Sequence, residues 1–281
     1  MSKDIAKKLV RITTSIFAVI GLIFVAVFIG MQFGVFNVKG STIERNEYFR
    51  IENSLDSKCG PEFECTWKDT NEWNVIKEGL IKDREVIYRV SKETGISPRI
   101  IASIVVPEQL RYFTADREKF KELFEPLKIL GSLSKFSLGV SGIKQETARQ
   151  IEIYAESPSS PRYPGEFAYP LIKYGVLENP ESTLFERLSN PTDHYYSYLY
   201  TALFIKEIDT EWKNSGVLIS NNAGILSTLW NIGFRGSKPK INPKNGGAPI
   251  TLSNNETFSY GDLSEMFYES DELVDVFPKN W

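Results

Sequence analysis

The stretch from Ile12 to Val38, ITTSIFAVIGLIFVAVFIGMQFGVFNV, contains no charged residue, and it constrains the chain more than any other feature. A helix rising about 1.5 Å per residue needs roughly 20 apolar residues to cross the hydrocarbon core of a bilayer. A secretory signal peptide is the competing reading, but its apolar region is shorter, about 7 to 15 residues, and a small-residue cleavage site follows it. No A-x-A-like site follows here, so the stretch reads as an uncleaved anchor. Lys3, Lys7, Lys8 and Arg11 precede it, and basic flanks stay on the cytoplasmic side. The expectation is a cytoplasmic tail at 1–11, a single transmembrane helix at 12–38, and a functional part outside the cytoplasm, on the periplasmic or cell-wall side of the membrane.

That compartment colours the two cysteines. Cys59 and Cys65 enclose GPEFE, and in oxidising surroundings a short loop of this kind reads as a disulfide, with two unpaired thiols as the alternative. One histidine and two cysteines argue against a zinc site, which takes several such ligands at fixed spacing; no metal or cofactor is expected. A net charge of -3 and a pI near 5.5 leave no basic footprint for nucleic acid.

Beyond the anchor, residues 39–70 carry charges, Gly, Pro and Ser without sustained period and read as a stalk. From there the pattern is helical. Trp73, Ile76, Leu80, Ile87 and Val90 recur at helical spacing up to Gly95, a favoured stop. Ser97 and Pro98 then supply an N-cap and a first-turn residue for the next helix, which Pro107 is expected to end or kink. Further helices are expected at 116–130, 143–155, 193–213 and 220–232, with 156–190 as a Pro-, Ser- and Tyr-rich excursion. Strand alternation is scarce, 248–253 being the best candidate. The fold class is mainly α with little β. A C-terminal appendage at 236–281 has Leu263, Met266, Phe267 and Leu273 on one helical face covering the core.

Glu108 carries the chemical question. It falls in line with Ile100 and Ile104 on an apolar stripe. A carboxyl group there loses hydration when ionised, which favours the protonated form that a general acid needs. Glycosidases keep one carboxyl in that state until it protonates the glycosidic oxygen. The plain alternative is that Pro107 turns the chain and Glu108 escapes to water.

The order GISPRIIASIVVPEQ, SLGVSGIKQETARQI, LYTALFIKEI and LSTLWNIGF resembles the lysozyme-like lytic transglycosylases that cleave peptidoglycan. The resemblance implies a lysozyme-like helical domain at 71–235 with Glu108 as acid/base. It implies that Ser141, Gly142 and Gln145 form a turn and a glycan contact, and that Trp230, Asn231 and Gly233 form a later motif closing the cleft. Peptidoglycan glycan strands would be the substrate, and no protein partner is indicated. Gln109 stands where the family has Ser, the stretch from Glu108 to Gln145 is longer, and Trp230 replaces a tyrosine. An indole N–H donates where a phenol hydroxyl could also accept.

With one carboxyl, the muramic 6-hydroxyl serves as nucleophile, whereas a lysozyme-type hydrolase needs a second acid to orient water. Asp116, Glu118, Glu122, Glu125 and Glu146 are nearby in sequence, and nothing selects one. Tyr195, Tyr196, Tyr198 and Tyr200 read as core rather than a sugar-stacking face. GVSGI approaches the G-x-S-x-G nucleophile turn but ends in Ile143, and the α/β-sheet strand such a turn needs before it is hardly offered by a helical chain; His194 reads as structural or surface. The non-enzymatic rival is a membrane-anchored wall-binding or scaffold protein that retains the groove.

Overall fold

The computed structural model describes residues 3–32, 66–113 and 137–281. The expected Cys59–Cys65 loop, most of the stalk and the expected helix at 116–130 lie outside them. The chain divides into two compact units, Met1–Lys39 and Gly40–Trp281. In the first, helix α1 covers Lys3–Gln32. Among the described residues no helix is long and apolar enough to cross a membrane. The side chains at 23–24 and 27–32 of α1 fall outside the description, as does the end of the expected anchor at 33–38.

The second unit is mainly helical, as composition and period require. A 3-10 turn at Trp67–Asp69 leads into α2 (Asn71–Lys82), whose N-cap Thr70 accepts from the Trp73 N–H at 3.3 Å. Helix α3 (Arg84–Thr94) follows, so the single periodic run from 73 to 94 is broken at Asp83. The break has a tertiary cause. Asp83 is buried, and its Oδ2 accepts from Tyr198 Oη at 2.6 Å and pairs with His194 Nδ1 at 2.7 Å. Gly95 ends α3 in the left-handed region, φ 73°, where glycine carries no Cβ penalty.

Helix α4 (Pro98–Phe113) is the centre of the unit. It opens at Pro98 as expected, with the Ser97 carbonyl taking the first helical bond, but the buried Ser97 hydroxyl has no hydrogen-bond partner among the described residues and does not cap. Pro107 does not end the helix, which continues to Phe113. A mid-helix proline costs about 3 kcal/mol. Ile101, Ile104, Val105, Val106 and Leu110, on either side of it, are all buried, and burying one such side chain is worth about 1.5–3 kcal/mol. Packing on both flanks outweighs the lost bond.

Strands β1 (Ser137–Leu138) and β2 (Ile143–Lys144) pair antiparallel across the turn 139–142, and α5 (Gln145–Ala155) starts directly after. Helices α6 (Ala168–Ile172) and α7 (Pro180–Ser189) occupy the expected excursion. Helix α8 (Tyr195–Asn214) buries Tyr195, Tyr198 and Tyr200, so the tyrosine cluster is largely core. Helix α9 (Ala223–Gly236) is followed by the hairpin β3 (Pro249–Thr251) and β4 (Thr257–Ser259), then α10 (Tyr260–Glu269).

The C-terminal segment is stitched into α4 rather than appended to it. Arg99, fully buried in the first turn of α4, donates to the carbonyls of Phe267, Tyr268, Ser270, Glu272 and Phe277 at 2.7–3.0 Å. Helices α9 and α10 cross closely, since a Cβ on Gly261 would lie 2.7 Å from the Gly224 carbonyl oxygen.

Candidate active site

Helix α4 continues through Pro107, so Glu108 stays in register with Ile100 and Ile104 and faces inward. It is 2 % exposed. The escape to water is not what the structure shows. Both carboxylate oxygens are engaged. Oε1 accepts from Arg111 Nη2 at 2.6 Å, and Oε2 accepts from Tyr260 Oη at 3.1 Å; that hydroxyl is also 3.1 Å from the Ile104 carbonyl. A buried charge must be paired to be tolerated. Arg111 supplies the ion pair from one turn further along the same helix.

The turn 139–142 closes over this acid. Gly142 has φ 65°, and a Cβ there would lie 2.7 Å from Glu108 Cγ and closer still to Cδ and Oε1. Only glycine allows the backbone to approach the carboxyl so closely. Gly139, also at φ 65°, is wedged on the other side: its Cβ would lie 2.5 Å from the Leu188 carbonyl oxygen and 2.5 Å from Ser197 Oγ. Gln109, the departure from serine, is buried and its Nε2 donates to the Val140 carbonyl, tying α4 to the turn. The structure therefore brings Glu108 and Gly142 together.

The other expected residues stand differently. Ser141 is fully buried, and its hydroxyl is 2.9 Å from Ser197 Oγ and 3.1 Å from the Ser197 carbonyl, so it secures the turn to α8. Gln145 opens α5, and its Nε2 donates to Glu181 Oε2 at 2.9 Å and to the Glu181 carbonyl at 3.2 Å. Trp230 packs edge-on against Phe204 at 5.0 Å between centroids. Asn231 Oδ1 accepts from the Ala248 N–H at 2.8 Å, holding the loop that follows α9. Gly233, φ 71° and ψ 177°, breaks α9. The ring contact of Trp230 and the hydrogen bond of Asn231 are thus made with Phe204 and Ala248 and not with Glu108.

Two contacts of Glu108 were not anticipated. Arg111 had a signal, because residues three apart share a helix face. Tyr260 had none, lying 152 residues away. It brings to Glu108 a phenol hydroxyl of the kind that Trp230 lacks.

Other acids have their own partners. Glu152 accepts from Tyr200 Oη at 2.5 Å, from Tyr174 Oη, and from Arg149 Nη1 at 2.8 Å. Burial, reinforced by this carboxylate, pushes the Tyr200 and Tyr174 hydroxyls above their ordinary range. Glu146 is exposed, while Asp116, Glu118, Glu122 and Glu125 lie outside the described residues. Among the described residues no His, Cys, Asp and Glu cluster could hold a metal ion. His194 is buried against Asp83 and serves the fold.

Compared with family models, curated proteins and solved structures, the chain matches none.

Proposed function

We propose that this chain is a membrane-anchored lytic transglycosylase with a lysozyme-like domain, cutting the bond between N-acetylmuramic acid and N-acetylglucosamine in peptidoglycan. One observation carries the reading: a buried glutamate on a central helix is met by a glycine turn that tolerates no side chain. The sequence resemblance calls for these two features side by side.

Glu108, protonated, delivers its proton to the bridging oxygen. The muramic C1–O bond breaks, and positive charge develops at C1. The 6-hydroxyl oxygen of the same sugar then bonds to C1, and its proton returns to the Glu108 carboxylate. No water is consumed, and one carboxyl completes the cycle. Tyr260 holds the carboxyl in place through Oε2. Gln145, at the start of α5, contacts the glycan after exchanging its bonds to Glu181. The uncharged run at 12–38 anchors the enzyme at the membrane facing the wall.

A second reading has its own support. Arg111 and Tyr260 occupy both oxygens of Glu108, which suits a wall-binding scaffold that has lost turnover. Digestion of purified peptidoglycan by the full-length chain in detergent micelles separates the cases. Products ending in 1,6-anhydromuramic acid support the transglycosylase, new reducing ends indicate a hydrolase, and binding without products favours the scaffold.

A further inference from the structure

From Trp212 to Asn255 the chain carries no Asp or Glu but five cations, Lys213, Arg235, Lys238, Lys240 and Lys244. In a protein of net charge -3 this is a local reversal of sign. Lys238, Lys240 and Lys244 fall in the loop between α9 and β3. All are exposed, and among the described residues none forms an ion pair. Ile241 stands among them, 85 % exposed. Acids stand at the margins: Glu146 lies 3.9 Å from Arg235, and Glu265 Oε2 accepts from Asn245 Nδ2 at 2.6 Å.

Both ends of this loop are fixed. Ser237 is buried; its hydroxyl donates to the Gly233 carbonyl at 2.7 Å, and its carbonyl accepts from Trp212 Nε1 at 2.8 Å. At the far end the Gly246 N–H donates to Thr228 Oγ1 at 3.0 Å, and the Gly246 carbonyl accepts from the Gly261 N–H at 2.8 Å. The tip turns at Asn242, φ 55°, a left-handed conformation that asparagine tolerates. Pro239 and Pro243 restrict φ on either side of it. The fold therefore presents the three lysines and the isoleucine outward on a braced loop.

We propose that this loop docks on anionic phospholipid headgroups, with Lys238, Lys240 and Lys244 at the phosphates and Ile241 in the interface beneath them. The inference rests on the membrane-anchor part of the proposed function and adds a second contact with that bilayer; it is independent of Glu108. Two features favour lipid over the carboxylates of the wall. The cations at the tip are lysines, compact point charges that suit a diffuse anionic surface, whereas a single carboxylate is better matched by the planar fork of arginine. Ile241 gains nothing from a charged glycan, while apolar residues beside basic ones bury into the boundary between headgroups and acyl chains. Each lysine near such a surface is worth about fivefold in affinity. A chain already tethered to the bilayer keeps the loop at high effective concentration, so a contact of that strength suffices.

The test is the rate of lysine acylation by a soluble amine-reactive ester, mapped by mass spectrometry on the full-length chain in lipid nanodiscs. One set of discs is phosphatidylcholine alone, a second is equal parts phosphatidylcholine and phosphatidylglycerol, and a third is the neutral disc with soluble peptidoglycan fragments added. Lys92 and Lys173, exposed elsewhere, serve as references. Relative to them, labelling of Lys238, Lys240 and Lys244 is expected to slow about tenfold or more in the anionic discs. It should recover at about 1 M salt, where the screening length is about 3 Å. Ile241→Ser, a change at an exposed position, should remove about threefold or more of the slowing. Equal labelling in neutral and anionic discs overturns the docking and leaves the anchor standing. Slowing by peptidoglycan in neutral discs, with none by anionic lipid, overturns it in favour of a wall contact. Undiminished slowing in Ile241→Ser overturns the insertion of the isoleucine. Failure of the chain to co-purify with either disc overturns the anchor reading and this inference together.

Discussion

Tyr260 Oη donates to Glu108 Oε2 at 3.1 Å, joining the first residue of α10 to a helix that lies 152 residues earlier. The C-terminal segment is therefore part of the site and not a cover for it. Tyr260→Phe keeps the ring and removes the hydroxyl. A hydrogen bond to a charged group is worth about 1.5–3 kcal/mol. The expected result is a loss of roughly ten- to hundredfold in kcat for glycan cleavage, with the melting temperature only slightly lowered. Unchanged kcat would show that Tyr260 does not position the acid.

Gly142 gives a sharper steric test. A methyl group there collides with Glu108, and the backbone sits at φ 65°, which costs a residue with a Cβ about 1–2 kcal/mol. Gly142→Ala should abolish cleavage and lower stability by at least that amount in denaturant titration. The control Gly216→Ala, at φ 82° with open space around its Cβ position, bears a similar backbone cost and should leave cleavage intact.

Arg99 is the structural peg of the same helix. Burial pushes its guanidinium below the ordinary value, yet no carboxylate pairs with it in its five bonds; all go to backbone carbonyls between Phe267 and Phe277. Arg99→Met leaves those carbonyls without their donor. Each unsatisfied buried group costs about 1–3 kcal/mol. A total loss of about 4 kcal/mol or more is expected, with early proteolysis in the segment after Glu269.

Glu207, buried in α8, has no hydrogen-bond partner on either oxygen among the described residues. Burial raises its pKa well above the ordinary carboxylate value, with Arg162 as the opposing cation. Its folded pKa exceeds the unfolded one, so its contribution is complete below about pH 4.3 and is lost as pH rises toward the folded value. Glu207→Gln removes this dependence. Relative to native, the variant should gain about 1.4 kcal/mol per pH unit above that point, up to the folded pKa. Denaturation midpoints of both proteins from pH 4 to 9 check this. A difference that does not vary with pH contradicts it.

Local chemistry was legible where it acts over a few residues. Gly95 and Pro98 mark their helix boundaries, and the spacing of Ile100, Ile104 and Glu108 foretold a buried acid. Long-range packing was not legible. Pro107 reads as a break because its cost is local, while the contacts that outweigh it come from the rest of the core. The break at Asp83 depends on His194 and Tyr198, more than a hundred residues on. Trp230 and Asn231 sit on a helix as expected, yet their partners, Phe204 and Ala248, are set by packing that no spacing records.

In the proposed reaction Glu108 moves the proton. Glu108→Gln preserves size and retains an acceptor for Tyr260 while removing the titratable group. Release of muropeptides from purified peptidoglycan by the full-length chain, quantified by mass spectrometry, should fall about 100- to 10,000-fold in the variant. Cleavage by Glu108→Gln at the native rate would contradict that role.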